Sequence, residues 1–136
     1  MVRHPSLSIP PGETLLDVLR WRAEHQPEQP AYVFLRDGIS PDTVLTYRQL
    51  DARARSIAGD LQSRFAPGDR LLLVYPPGLE FVQAFWGALY AGLVAVPVPP
   101  PDAFRARVGV TRVQRIAEDA GVAGALSTNQ ILALVR

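Results

Sequence analysis

Two hydrophobic periods alternate along this chain, and each change of period marks an element. Thr14-Leu-Leu-Asp17 has the form of a capping box and opens a helix predicted to run through about His25. Pro27 and Pro30 bound the loop that follows. Ala31 to Arg36 and Thr43 to Thr46 read as strands around the turn residues Asp37, Gly38, Ser40 and Pro41. Thr46-Tyr-Arg-Gln49 is a second capping box. The helix it starts is predicted to reach about Phe65, with Leu50, Ala54, Ile57, Ala58 and Leu61 on its apolar face.

After the turn Pro67-Gly68-Asp69 the pattern becomes nearly continuous. Arg70 to Tyr75 (RLLLVY) reads as a strand buried on both faces of a parallel sheet. From Leu79 to Ala91 the period returns to three and four, with Phe81, Val82, Phe85, Trp86, Leu89 and Tyr90 in step. Gly92 is a natural helix stop. Leu93 to Val98 is a second strand, weakened at its far end by Pro97. A helix over Val110 to Ala120, closed by Gly121, leads to a weaker third strand, Val122 to Ser127. A short helix over Asn129 to Arg136, capped by Thr128 or Asn129, ends the pattern. Strand, helix, strand, helix, strand implies right-handed crossovers. The predicted fold class is α/β, a parallel-rich sheet with packed helices, incomplete at one edge.

The stretch from Tyr75 to Pro101 is apolar enough to raise the question of a membrane span. A spanning helix needs about 20 apolar residues in a row. Glu80 and Gln83 interrupt the start, and Pro97, Pro99, Pro100 and Pro101 cannot continue a helix. The stretch is a helix and a strand of a soluble core.

Composition changes the picture at one point. Of 136 residues, 48% are hydrophobic and 20% charged, and the net charge is +1. That balance gives no strong pull toward nucleic acid or anionic lipid. Cysteine is absent, which excludes disulfides and thiolate ligands and is compatible with a cytoplasmic setting. The start, MVRHPSLSIPPG, lacks an apolar segment of signal-peptide length, so secretion is not expected. The 14 basic residues are all arginine. No step that needs a lysine amine can be carried by this chain.

Most candidate chemistry reduces to simpler readings. His4 and His25 stand far apart, without carboxylates at ligand spacing, so no metal site is expected. Neither Gly-x-Ser-x-Gly nor G-x-G-x-x-G is present. Gly87 and Gly92 have the spacing of a phosphate loop, but Leu-Val follows where Lys-Ser/Thr is needed. Arg105, Arg107, Arg112 and Arg115 form a basic cluster, read first as a solvated helix face balanced by Glu118 and Asp119. Phosphate, an acidic carrier or RNA are its alternatives. Trp21, Phe81 and Trp86 are read as core aromatics. Ligands of open parallel sheets bind outside the carboxyl ends of the strands. The substrate-face candidates are therefore Tyr75, Pro76 and Pro77 after the first strand, and Pro99 and Pro100 after the second. No catalytic, cofactor-binding or metal residue is assigned.

These residues carry a family resemblance. The succession "PAYVFLRDG", "LTYRQLDARARSIAGDLQ", "PGDRLLLVYPPGLEFVQAFWGALYAGLVAVPVPPP" and "RVQRIAEDAGVAGALST" resembles the beginning of an acyl-adenylating enzyme of the acyl-CoA synthetase (AMP-binding) superfamily. "YPPGLEF", "FWGALYAG" and "VAVPVPPP" are most similar to fatty acyl-AMP ligases. The resemblance implies that residues 1–136 are the N-terminal part of one ligase domain, with 1–13 a flexible lead-in. It implies activation of a fatty acid with ATP and magnesium, then transfer of the acyl group to an acyl carrier protein. The family's nucleotide loop and catalytic lysine have no counterpart here, so the chain alone is expected to be inactive. Its expected partners are the remainder of the ligase, the carrier protein and the fatty acid, with self-association through an exposed sheet edge. Two rival readings are a docking module derived from the ligase and a fragment of an acyl-CoA ligase.

Overall fold

The structure is a computed structural model that describes residues 11–102 and 106–134. The expected lead-in over 1–13 lies outside the described residues up to residue 10, as do Arg105 and Arg136. Both capping boxes form. Helix α1 (Leu15–His25) is closed by Thr14 and Asp17, each bonding the other's backbone. Strands β1 (Pro30–Leu35) and β2 (Pro41–Thr46) pair antiparallel as a separate hairpin. At its tip Asp37 accepts backbone N–H bonds, that of Ser40 foremost, which pull its carboxyl down to about 2. Helix α2 (Tyr47–Gln62) follows at once, capped by Thr46 and Gln49.

Helix α2 ends three residues before the expected Phe65. The Ser63 hydroxyl bonds the Asp60 carbonyl, and the turn that follows delivers Phe65 onto the sheet. Strand β3 (Arg70–Val74), helix α3 (Leu79–Tyr90) and strand β4 (Val94–Val98) come next. Gly92 sits at φ +77, the left-handed conformation expected of a helix stop. Helix α4 (Ala106–Ala120) starts earlier than Val110. Its first turn, Ala-Arg-Val-Gly, carries too little apolar periodicity to be read as helix. Strand β5 (Gly124–Ser127) starts later than Val122, whose N–H instead closes α4 on the Ala117 carbonyl. Arg70 caps the same helix end, donating to the Ala120 carbonyl at 2.6 Å. Helix α5 (Asn129–Leu134) is capped by Thr128, not Asn129: its hydroxyl accepts from the Ile131 N–H.

The three later strands form a parallel sheet in the order β4-β3-β5. Leu71 and Leu73 point to one face, where α2 and α3 cover them; Ala58, Leu61, Ala84 and Ala88 complete that core. Leu72 and Val74 point to the other face and meet Val113, Ile116 and Ala117 of α4 and Ile131 of α5. A strand with residues buried on both faces needs this double cover. Pro97 fits because β4 lies on the sheet's outside, where a missing N–H costs little. A third cluster, Leu19, Leu45 and Leu50, joins α1 and the hairpin to α2. Trp86 packs on it and donates its indole N–H to the Tyr32 hydroxyl at 3.2 Å. Trp21 departs from the core role expected of it. It stacks on His25, with ring centroids 4.5 Å apart, outside all three clusters.

Candidate functional site

Strands β3 and β5 are parallel neighbours, but the chain leaves them in opposite directions. After β3 it turns to α3 on one face; after β5 it turns to α5 on the other. Such a reversal opens a crevice at the carboxyl ends of the two strands, the usual place for a ligand in an open α/β sheet. A cleft of about 710 Å³ lies there. Its apolar floor is built from Ile57, Leu61, Phe65, Ala84, Ala125 and Leu126. Around it stand Tyr75 and Pro76 after β3, Glu80 and Gln83 from α3, Asp60 and Arg64 from α2, and Ser127 to Gln130 after β5.

Local contacts hold this shape. Gly124 lets Phe65 lie directly on β5; a Cβ there would stand 2.5 Å from the Phe65 Cζ. Ser127 donates to the Val74 carbonyl at 2.8 Å, tying the two strand ends. Burial, with a smaller contribution from the Glu80 charge, pushes the Tyr75 phenol above its usual range. It is therefore a neutral hydroxyl at physiological pH. The cleft offers hydroxyls and amides over an apolar floor, with two carboxylates and one guanidinium at the rim. Such a lining suits binding through shape and hydrogen bonds and supplies no activated nucleophile. The described residues gather no group of three or more His, Asp and Glu side chains able to hold a metal. No described helix is long and apolar enough to cross a membrane.

The substrate-face candidates separate. Tyr75 and Pro76 line the cleft; Pro77, exposed, follows them outside its lining. Pro99 and Pro100 follow β4, on the far side of β3 from β5, and do not line it. Ser127, Thr128, Asn129 and Gln130 escaped the sequence reading, since strand order is not written in the chain. The one available signal was the Ser-Thr pair closing the third strand.

A second polar cluster joins α1, α2 and α3. Tyr90 donates to Asp51, which also accepts from Arg55 at 2.8 Å. The guanidiniums of Arg20 and Arg55 each lie 5.2 Å from the centre of the Tyr90 ring. Burial, then the bond to Asp51 and its charge, push the Tyr90 phenol up to about 12, against the two arginines. The folded value lies above the unfolded value of about 10. The stabilisation is therefore complete below about pH 10 and is lost as pH climbs toward about 12. In thermal melts over this range Tyr90→Phe is expected to lose stability less steeply than the parent chain. Equal slopes would remove Tyr90 from this role.

Comparison with known proteins places the fold. The family model described as AMP-binding enzyme matches residues 19–135. The chain is 44% identical over 114 residues to the medium-chain-fatty-acid–[acyl-carrier-protein] ligase JamA of Moorena producens, covering 84% of this chain and 19% of the relative. It is 36% identical over 124 residues to human disco-interacting protein 2 homolog A, covering 90% of this chain and 8% of the relative. Among solved structures, a fatty acyl-adenylate ligase from L. pneumophila, in complex with acyl adenylate and pyrophosphate, superposes with a TM-score of 0.78 at 38% identity. That match covers 89% of this chain and 21% of the ligase. The chain thus spans about a fifth of the ligases it matches and less than a tenth of the disco-interacting protein. With the family model matched across all but the first turns of the fold, the chain belongs to the AMP-binding enzyme family.

Proposed function

We propose that this chain is the N-terminal part of a fatty acyl-AMP ligase. In that reaction a fatty acid carboxylate oxygen attacks the α-phosphorus of ATP, and the bond to pyrophosphate breaks. The acyl adenylate then gives its acyl group to the thiol of an acyl carrier protein, and AMP leaves. The observation that carries this reading is the likeness, at 38% identity, to a ligase holding acyl adenylate and pyrophosphate. Roles in fatty-acid metabolism and in polyketide or nonribosomal peptide assembly, in the cytoplasm, belong to the same proposal.

The cleft at the ends of β3 and β5 does not fit the triphosphate of ATP. Arg64 is the only cation among its described lining residues, and Asp60 and Glu80 beside it repel a triphosphate. The nucleotide is therefore assigned to residues outside this chain, and this chain supplies the supporting sheet and helices. Strands β4 and β5 are the outer strands of the described sheet, and Val94 is 48% exposed on one of them. On this reading they are where the rest of the ligase adds, or where isolated chains self-associate.

ATP–pyrophosphate exchange tests the proposal. With magnesium and a medium-chain fatty acid, the 136-residue chain is expected to remain at background. The full-length protein that carries it is expected to exchange label only when the fatty acid is present. Exchange by the chain alone, or none by the full-length protein with any fatty acid, would overturn it.

A further inference from the structure

The cleft at the ends of β3 and β5 is open along one side. Its apolar floor includes Ile57, Phe65 and Leu126, each only partly buried. Ala125 and Leu126 belong to β5, an outer strand of the described sheet, and Ala125 is exposed. The floor therefore runs out onto the edge of the sheet. Apolar surface left uncovered between polar rims marks a place of contact.

Polar groups around the floor lack partners. The half-buried Tyr75 hydroxyl makes no hydrogen bond among the described residues. Asp60 and Glu80 make no ion pair among them either, and Arg64 is the one described guanidinium that shares their rim.

This set narrows the occupant. A fatty acid would bring a third carboxylate to a rim that already holds two against one cation, and a nucleotide would bring more negative charge still. A polypeptide segment meets each feature. Its apolar side chains suit the floor, its backbone suits the Tyr75 hydroxyl and the Asn129 and Gln130 amides, and a basic side chain suits the two carboxylates. The chain spans about a fifth of the ligases it matches, so on the ligase reading about four-fifths of the protein is available to supply that segment. A segment that adds at the β5 edge reaches the cleft directly, because Ala125 and Leu126 belong to both.

We propose that this cleft is an internal seam, closed by a segment of the rest of the same polypeptide that lays apolar side chains on the floor and sets an arginine or lysine against Asp60 and Glu80. The inference rests on the chain being part of a longer ligase. It makes the cleft a standing protein contact and not a substrate pocket.

Thiol labelling tests it. Asn129 lines the cleft and is exposed, so Asn129→Cys puts a reactive group there. Labelling by a maleimide is followed by mass spectrometry of the peptide that carries the new thiol. In the full-length protein, without ligands, labelling should be about a hundredfold slower or more than in the same variant unfolded in urea. In the 136-residue chain it should be slowed by less than about tenfold. Gln130→Cys, at the next exposed position of the lining, should behave alike. Asp60→Asn with Glu80→Gln should speed labelling of the full-length protein a few-fold, as the ion pairs are lost, and leave the chain unchanged. The seam is overturned if the full-length protein labels as fast as the chain, or if the double variant changes nothing. It is equally overturned if protection appears only with ATP, fatty acid or carrier protein, which would mark a substrate pocket, or if it fades on dilution, which would mark a second copy. Pyrophosphate exchange on the same full-length preparations separates the two readings. Protection without exchange counts against the ligase alone, and exchange without protection counts against the seam alone.

Discussion

Leu73→Ala is expected to lower the stability of the fold by about 2–5 kcal/mol, the range for a leucine deleted from a packed core. Leu73 is fully buried in β3. It has Pro97 of β4 on one side and Leu126 of β5 on the other. Ala84 and Ala88 of α3 belong to the same cluster. The backbone around it is held by ladders on both sides, so the hole cannot close by a simple shift, and the cost should fall in the upper part of the range. The check is urea unfolding followed by circular dichroism, with Leu15→Ala as control. Leu15 is 59% exposed, and its loss should matter by less than about 0.5 kcal/mol. A Leu73→Ala effect as small as the control's would mean that the central strand is not packed as described.

Gly87→Ala is the second large effect, and its sign is the point. In an ordinary helix, replacing glycine by alanine gains about 0.5–1 kcal/mol. At this position an added Cβ would stand 2.5 Å from the Ile57 Cγ2 and 2.7 Å from its Cβ. Ile57 is β-branched and stiff about χ1, so it has little freedom to turn aside. Helices α2 and α3 would have to separate, and overpacking of this kind costs about 1–3 kcal/mol. The expected net result is destabilisation. Ile57→Ala removes the Cγ2 but keeps the Cβ, so adding it to Gly87→Ala should restore part of the loss, a non-additive pair. If Gly87→Ala raises the melting temperature, the close approach of the two helices is wrong.

Much of this architecture was legible in the chain. Local chemistry specified the capping boxes at Thr14 and Thr46 and the stop at Gly92, and each formed where its residues stand. The run Leu71 to Val74 announced a strand covered on both faces, because no residue in it tolerates water. What stayed hidden depends on contacts distant in sequence. Nothing local says that β5 pairs with β3 and not with β4. The cleft was therefore half visible: Tyr75 and Pro76 were found from the end of β3, while Ser127 to Gln130 were not. Gly87 looked like half of a chance motif, and its role as a helix contact needs Ile57, which lies on another element. Trp21 misled for the opposite reason. An aromatic at a helical position suggests a core, but its ring settled on His25.

The strand order has a consequence for how the chain is made. The central strand, β3, is the first of its sheet to leave the ribosome, and both of its partners come later. At roughly 5–20 residues per second, β3 waits on the order of a second or more for β4 and several seconds for β5. Through that interval Leu71 and Leu73 have α2 available for cover, while Leu72 and Val74 wait for α4 and α5. The early-formed α2 thus acts as a built-in chaperone for one face of the nascent strand, and the other face is the part of this fold most dependent on the speed of synthesis.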